Sequence, residues 1–368
     1  MIKSLTDKNA LPLAERTPIK DWDFESLKLG DVPVPTVDIA SLVPTTAKNT
    51  VVVADGHLVH QKLENGITIE NKGIDLIRET NKLIELNKTN KNSLLTINIA
   101  KNTVLSEPLY IAYVAVDRSL VHQTELNIGS SVEANVVESF LADSKQTVNI
   151  LSKVNVGANA KLNTAVINNI NGKSTVYYHR HTEVEQDASL ETTNFVLNDS
   201  NVVFEDFTHL VGKASEANVA TVALSTDNQK QNMTVRVENL APNAIGNIVN
   251  YGISKDTAHL AFNGVGKIHK GMNGGDNQQE TRVLNLSRTA EAIANPFLLI
   301  DEGDITAGHA ASIGQIDEEQ VYYLQSRGLT KVEAEKLIVS GFLTPFANII
   351  TDKTLKEQLL DSIEVKLG

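Results

Sequence analysis

The chain has 368 residues, with 45 acidic against 33 basic side chains and a formal net charge of −12, so it lacks the excess of lysine and arginine that a nucleic-acid partner requires. It is 41% apolar and 21% charged, and no apolar run reaches the ~18 residues of a spanning helix, which excludes a membrane segment as the working reading. Cysteine is absent, which removes disulfides and every thiolate ligand.

The N-terminal stretch has no apolar core of the secretory kind, so the expected compartment is the cytoplasm. Residues 1 to about 48 carry Pro12, Pro18, Pro33, Pro35 and Pro44 around Trp22 and read as an extended arm. Ile67 and Ile69 alternate with polar neighbours like a short strand. After Gly73 the residues Ile74, Ile77, Leu83, Ile84 and Leu86 fall at near-helical spacing and predict an amphipathic helix. We place an N-terminal arm and helical region at 1–94.

From about 95 to 312 the chain becomes a series of short alternating runs rich in Val, Ile, Thr and Asn. Aromatic residues make up only 5% of the chain, which suits a solenoid whose narrow interior is filled by Val, Ile, Leu and Ala. Small-residue triplets at Val132, Ala160, Ala188, Ala214 and Ala258 recur at about 26–28 residues and then at 44, the last read as two coils of about 22. This predicts a mainly β protein with a parallel β-helix core. The asparagines at 149, 155, 159, 163, 168, 169 and 171 are expected at coil corners, where Asn tolerates left-handed backbone.

Within this core His179 and His181 lie two apart on a probable strand, with both rings on one face. With Arg180 between them and no third ligand in view, the pattern reads as a polar coil face rather than a metal site. Gly264, Gly266, Gly274 and Gly275 read as turn glycines without the strand-to-helix context of a dinucleotide site. No phosphate-binding loop, G-x-S-x-G or H-E-x-x-H occurs. Asp301, Glu302 and Asp304 offer oxygen ligands but read as a solvated loop.

The end of the chain, 313–368, predicts a helical domain. Asp317 caps a first helix, with Gln320 reaching back and Gly328 ending it. Thr330 and Glu333 form a capping box for a second helix that Gly341 should stop. A further helix spans Thr351 to Ile363, with Leu355, Leu359, Leu360 and Ile363 at helical spacing. His309, at the strand-to-helix junction, is either a metal ligand through its neutral imidazole or a histidine satisfied at a turn.

The run Gly308-His309-Ala310-Ala311-Ser312-Ile313-Gly314-Gln315-Ile316-Asp317-Glu318-Glu319, followed by Tyr322-Tyr323-Leu324-Gln325-Ser326-Arg327-Gly328, resembles the C-terminal signature of the SufB/SufD family of iron-sulfur cluster assembly proteins. Asn295-Pro296-Phe297-Leu298-Leu299-Ile300 is similar to that family's N-P-x-L-E-I, with Leu299 replacing the acidic residue. Looser matches are Phe262 to Ile268, Asp276 to Gln279, Val104 to Leu109, and Trp22-Asp23-Phe24.

The resemblance implies a right-handed parallel β-helix in a SufD-like scaffold subunit that has no catalytic activity of its own. It implies pairing with a SufB-like subunit, or with a second copy of the chain when isolated, and binding of a SufC-like ATPase through the C-terminal helices. Tyr322, Tyr323, Arg327, Gly328 and Phe342 match the ATPase-facing motif. His309 would share a metal with the partner, so that iron or a nascent cluster is held transiently at that interface and no cofactor is kept by the chain alone. Lack of cysteine makes the chain SufD-like, not SufB-like. The rival expectation is a β-helix carbohydrate-active enzyme or surface adhesin, in which Glu183, Glu185 and Asp187 would line a groove.

Overall fold

A computed structural model describes residues 8–367, apart from 13, 15, 16, 18, 75, 76 and 143. Pro18 and the first seven residues of the arm thus lie outside the described residues. The arm is extended, with one short helix, α1 (Ile39–Leu42). Three strands follow, β1 (Asn49–Ala54), β2 (His57–Lys62) and β3 (Ile67–Glu70), and then helix α2 (Lys82–Asn90). The side chain of Asn81 caps α2 by accepting from the Leu83 and Ile84 N–H groups at 2.8 and 2.9 Å. The helix is therefore shorter than the apolar spacing predicts, because Ile74 and Ile77 belong to the irregular strap that leads into it.

From there the chain winds through β4 (Ser93–Ile99), β5 (Leu109–Ala115), β6 (Leu120–Ile128), β7 (Glu133–Ala142), β8 (Thr147–Val156), β9 (Lys161–Ile170), β10 (Thr175–Val184) and β11 (Ser189–Val196). It continues through β12 (Asn201–Leu210), β13 (Glu216–Ser225), β14 (Lys230–Asn239), β15 (Ile245–Ser254), β16 (His259–Ile268), β17 (Gly275–Asn285), β18 (Glu291–Ile300) and β19 (Ile305–Gln315). Odd-numbered strands from β5 stack with β1 and β2 into a ten-stranded sheet, and even-numbered strands from β4 stack with β3 into a nine-stranded one. All pairings are parallel except β1 with β2 and β3 with β4. The molecule is a parallel β-solenoid with two strands per coil. Its parallel sheets reach beyond the 95–312 window, starting at β1 and ending at β19.

Each coil is about 28 residues long, as the stacked pair Asn163 and Asn135 records. The repeat seen in the sequence has a backbone cause. Ser131, Asn159, Asp187, Ala214 and Asn243 adopt positive φ between 54° and 58°, one per coil, at the corner that enters the ten-stranded sheet. Ala258 belongs to the opposite corner, next to Asp256 with φ 59° at the start of β16, so the interval of 44 is not two short coils.

The asparagines also depart from expectation. Asn159 does sit at a corner, but Asn149, Asn155, Asn163, Asn168 and Asn169 lie within strands. Several stack between coils: Asn155 donates to Asn127 at 2.7 Å and Asn127 to Asn98 at 2.9 Å, while Asn295 donates to Asn263 at 3.0 Å and Asn263 to Asn232 at 3.2 Å. A parallel in-register stack places identical amides one above the next, where each can both donate and accept.

Even-numbered positions of β10 and β12 point into the lumen, where Val, Ile, Leu and Ala dominate, as in the rest of the main cluster. One aromatic column crosses it, with Tyr113 stacked on Phe140 at 4.7 Å, Phe140 edge-on to Tyr178 at 5.6 Å, and Tyr178 stacked on Phe204 at 4.8 Å. Each outer face is covered by one end of the chain. The arm, strap and α2 bury Ile19, Phe24, Ile77, Leu83 and Ile84 against Leu151, Tyr177 and Val203 of the nine-stranded sheet.

Three C-terminal helices, α3 (Glu318–Ser326), α4 (Lys331–Ala347) and α5 (Lys353–Leu367), complete the fold. The last two fold back over the ten-stranded sheet, burying Val339, Leu343, Leu359 and Ile363 with Ile167, Phe195 and Val222. Burial of side chains of this size contributes about 1.5–3 kcal/mol each, enough to hold α4 together through Gly341, where the sequence had placed its end. The helical segments thus cover faces rather than ends. Antiparallel β2 and β3 close the first end, while β18 and β19 form the last edge of each sheet.

Candidate functional site

The strap brings Glu79 onto the outer face of β10 and β12, where His179 and His181 stand on one strand and Glu205 and His209 on its neighbour. Period-two alternation puts all four on the face away from the lumen. All five side chains are buried beneath the strap. His181 Nδ1 lies 2.8 Å from Glu79 Oε2, His209 Nε2 lies 3.0 Å from Glu79 Oε1, and His179 Nε2 lies 3.6 Å from Glu79 Oε2. On the far side of its ring, His179 Nδ1 is 3.0 Å from Glu205 Oε2, which also accepts from the Tyr177 hydroxyl at 2.6 Å. Asn81, the α2 cap, donates to that hydroxyl at 2.9 Å. His181 Nε2 faces Glu183 at 3.4 Å, and Arg78 Nε donates to Glu183 at 2.8 Å.

These contacts set the charges. Burial opposes ionisation of Glu79, yet the three imidazoles around it, His179, His181 and His209, hold its carboxyl far below the usual carboxylate range. Burial depresses His179, but Glu205 and Glu79 outweigh it and raise the ring to about 9. His181 is raised too, by Glu183 and Glu79 against burial, and His181 with Arg78 lowers Glu183 to about 2. His179 and His181 do share one polar face, as their spacing predicts, and that face is buried beneath the strap. The missing third partner comes from Glu79, 102 residues before His181, and from His209, 28 residues after it, neither of which any local spacing reveals.

A second charged group lies inside the solenoid. Arg180, between the two histidines, points into the lumen with Glu138 and Asp206, and all three are buried. Arg180 Nη1 is 3.9 Å from Glu138 Oε2, and Asp206 accepts from Asn194 at 2.8 Å. Burial raises the carboxyls of Glu138 and Asp206 against the pull of Arg180.

His309 is exposed on β19, opposite Gln279 of β17. Tyr322 and Tyr323 are 74% and 56% exposed on α3, with the Arg327 guanidinium 5.2 Å from the Tyr323 ring centre. Gly328 takes φ 101° just past α3. Phe342 stands apart from this group: it is half-buried, with its ring 4.7 Å from that of Tyr251 on the solenoid. Asp317 caps α3 by accepting from the Glu319 N–H at 2.9 Å, and the capping box of Thr330 and Glu333 is formed. Glu302 accepts from the N–H groups of Gly271 and Gly303 and so organises its loop, as the solvated reading expects. Glu183, Glu185 and Asp187 do not share a face: Glu183 pairs with Arg78, Glu185 accepts from Ala158 N–H, and Asp187 makes the corner. Among the described residues, no helix is long and apolar enough to cross a membrane.

The fold and this face thus define a cysteine-free parallel β-solenoid whose outer sheets are covered by its own terminal segments, with an exposed histidine on its last strand. Residues 112–342 match the family described as SUF system FeS cluster assembly, SufBD core domain. The chain is 34% identical over 295 residues to the iron-sulfur cluster assembly protein SufD of Bacillus subtilis (strain 168), covering 78% of this chain and 68% of that protein. It is 25% identical over 248 residues to SufD of Escherichia coli (strain K12), covering 67% of this chain and 59% of that one. A SufBD family protein of Mycobacterium bovis matches at 30% over 138 residues, covering 38% of this chain and 16% of its own length. The chain belongs to the SufBD family of the SUF iron-sulfur cluster assembly system, and within it is SufD-like.

Proposed function

We propose that this chain acts as a scaffold subunit of iron-sulfur cluster assembly, with no catalytic activity of its own, pairing with a SufB-like subunit through the last coil and holding a SufC-like ATPase on its C-terminal helices. The observation that supports it is the exposure of β19. Its side chains from His309 to Gln315 are open, whereas β10 and β12 are almost wholly buried. A terminal strand also presents a row of unpaired backbone groups that another strand can extend. His309 on that strand would offer an imidazole to iron or a nascent cluster, as cargo passing through the interface, with the remaining ligands coming from the partner because one imidazole is too few. The absence of cysteine assigns the thiolates to that partner.

Tyr322, Tyr323, Arg327 and Gly328 would face the ATPase. Of these, Tyr322 lines a cleft of about 660 Å³ between α3, α4 and the β17 end, together with Arg288, Glu318, Val321 and Lys331. Phe342 would serve the same contact indirectly, by seating α4 on Tyr251. In isolation a second copy would take the partner's place, and assembly would proceed in the cytoplasm.

The test is co-expression with SufB-like and SufC-like subunits of the same organism, reading complex mass and cluster assembly for the wild type and for His309→Ala. A complex of unchanged mass that has lost cluster assembly supports the role given to His309. Failure of the wild type to enter any complex overturns the scaffold reading.

A further inference from the structure

The buried cluster under the strap lies on the side of the solenoid away from the C-terminal helices and has no part in the assembly reading. Its donor set has the character of a metal centre. The ligand atoms of Glu79, His181 and His209 all lie within 4.8 Å of one another. His179 Nε2 is buried without a hydrogen-bond partner and lies 3.6 Å from Glu79 Oε2. In a tetrahedral site with metal–nitrogen bonds of about 2.0–2.1 Å, neighbouring ligand atoms are about 3.4 Å apart. Glu79 Oε2 lies 2.8 and 3.6 Å from the His181 and His179 nitrogens, on either side of that edge, and Glu79 Oε1 lies 3.0 Å from His209 Nε2.

The outer contacts also have the required form. Metal-bound imidazoles usually donate their other N–H to a carboxylate, which fixes the tautomer and the ring orientation. Here Glu205 stands behind His179, held by Tyr177, and Glu183 behind His181, held by Arg78.

We infer that Glu79, His181 and His209, with His179 in the fourth position, form a closed structural site for a divalent transition metal of borderline hardness, zinc or ferrous iron, that rivets the N-terminal strap to the solenoid. Three imidazoles and one carboxylate suit such ions better than calcium or magnesium, which favour all-oxygen shells. Because every ligand is buried, the site has no open position for substrate. Its role is to fasten a segment that crosses two strands far away in sequence.

The experiment uses the full chain, stripped by dialysis against a chelator and titrated with Zn(II) by calorimetry and with Co(II) as a visible-spectrum probe. The expected result is one ion per chain, an intense tetrahedral Co(II) spectrum, and a melting temperature that rises with metal. His209→Asn and Glu79→Gln should each weaken binding by at least about 100-fold. Glu205→Gln, which keeps all four ligands and the side chain's shape, should weaken it about 10–100-fold. A folded wild-type chain that takes up no ion overturns the proposal. So does a Co(II) spectrum that survives Glu79→Gln and Glu205→Gln but vanishes in His309→Ala, since the metal would then sit at the open end. Because the readout is metal uptake by the isolated chain, it stays separate from the assembly test.

Discussion

The Glu79 carboxylate and the His181 imidazole meet at 2.8 Å across 102 residues of sequence, one on an irregular strap and the other on β10. This contact ties the N-terminal covering to the solenoid, and its neighbours make it costly to break.

Glu79→Ala leaves His179, His181 and His209 buried around a vacated carboxylate. Removing one member of a buried ionic group costs about 3–5 kcal/mol, so stability falls by that order, and α2 with its strap exchanges amide hydrogen faster than β10 does. Denaturant melts and hydrogen exchange on the variant check this. Protection in α2 equal to the wild type's would mean that the apolar contacts of Leu83 and Ile84 fasten the strap by themselves.

Inside the lumen, Arg180→Met strips Glu138 and Asp206 of their cation, with an expected loss of about 3–5 kcal/mol. Adding Glu138→Gln and Asp206→Asn to Arg180→Met should restore part of this loss, because the cost lies in unpaired buried charge. A triple variant less stable than the single one would show that the three groups act through packing instead.

His122 is buried in the lumen with its ring 4.2 Å from that of Tyr113 and Nδ1 2.8 Å from Ser93 Oγ, and burial pushes its pKa down to about 3. The folded chain therefore keeps the ring neutral while the unfolded chain takes up a proton below about 6.5. Stability from this group is fully present above pH 6.5 and is lost as pH falls from 6.5 towards 3. It amounts to about 2 kcal/mol between pH 7.5 and 5. Urea melts at those two values should show a smaller difference in His122→Gln than in the wild type. Equal differences would place the acid sensitivity elsewhere.

Ala214 occupies a corner at φ 55° where glycine carries no steric penalty. Ala214→Gly should be stabilising by up to about 1 kcal/mol, and Ala214→Val destabilising by about 1–2 kcal/mol, read from thermal melts. A destabilising glycine would mean that loss of chain entropy outweighs relief of the left-handed backbone.

Much of the fold is legible in the residues themselves. Scarce aromatics, alternating Val, Ile and Thr, and a small residue at each corner identify a solenoid, because stacked coils repeat their requirements at fixed intervals. Capping at Asp317 and at Thr330 with Glu333 is equally local, since a cap bonds within three residues. Asn155 and Asn163 read as corners but stack on Asn127 and Asn135 within strands, because propensity cannot tell which amides will stack. Gly341 reads as a helix end, but α4 runs past it because the burial that carries the helix comes from a sheet distant in sequence.

The cluster around Glu79 marks the boundary most sharply. His179 and His181 announce themselves by their spacing, but whether two neighbouring imidazoles face water or a carboxylate depends on what covers the strand. The repeating core, the helix starts and the absence of thiolates all rest on near neighbours or on composition and are legible along the chain. The closure of a strap from residue 79 over β10 and β12 is visible only in three dimensions, because loop closure across 102 and 130 residues is set by the packing of Ile77, Leu83 and Ile84 and leaves no periodic trace along the chain.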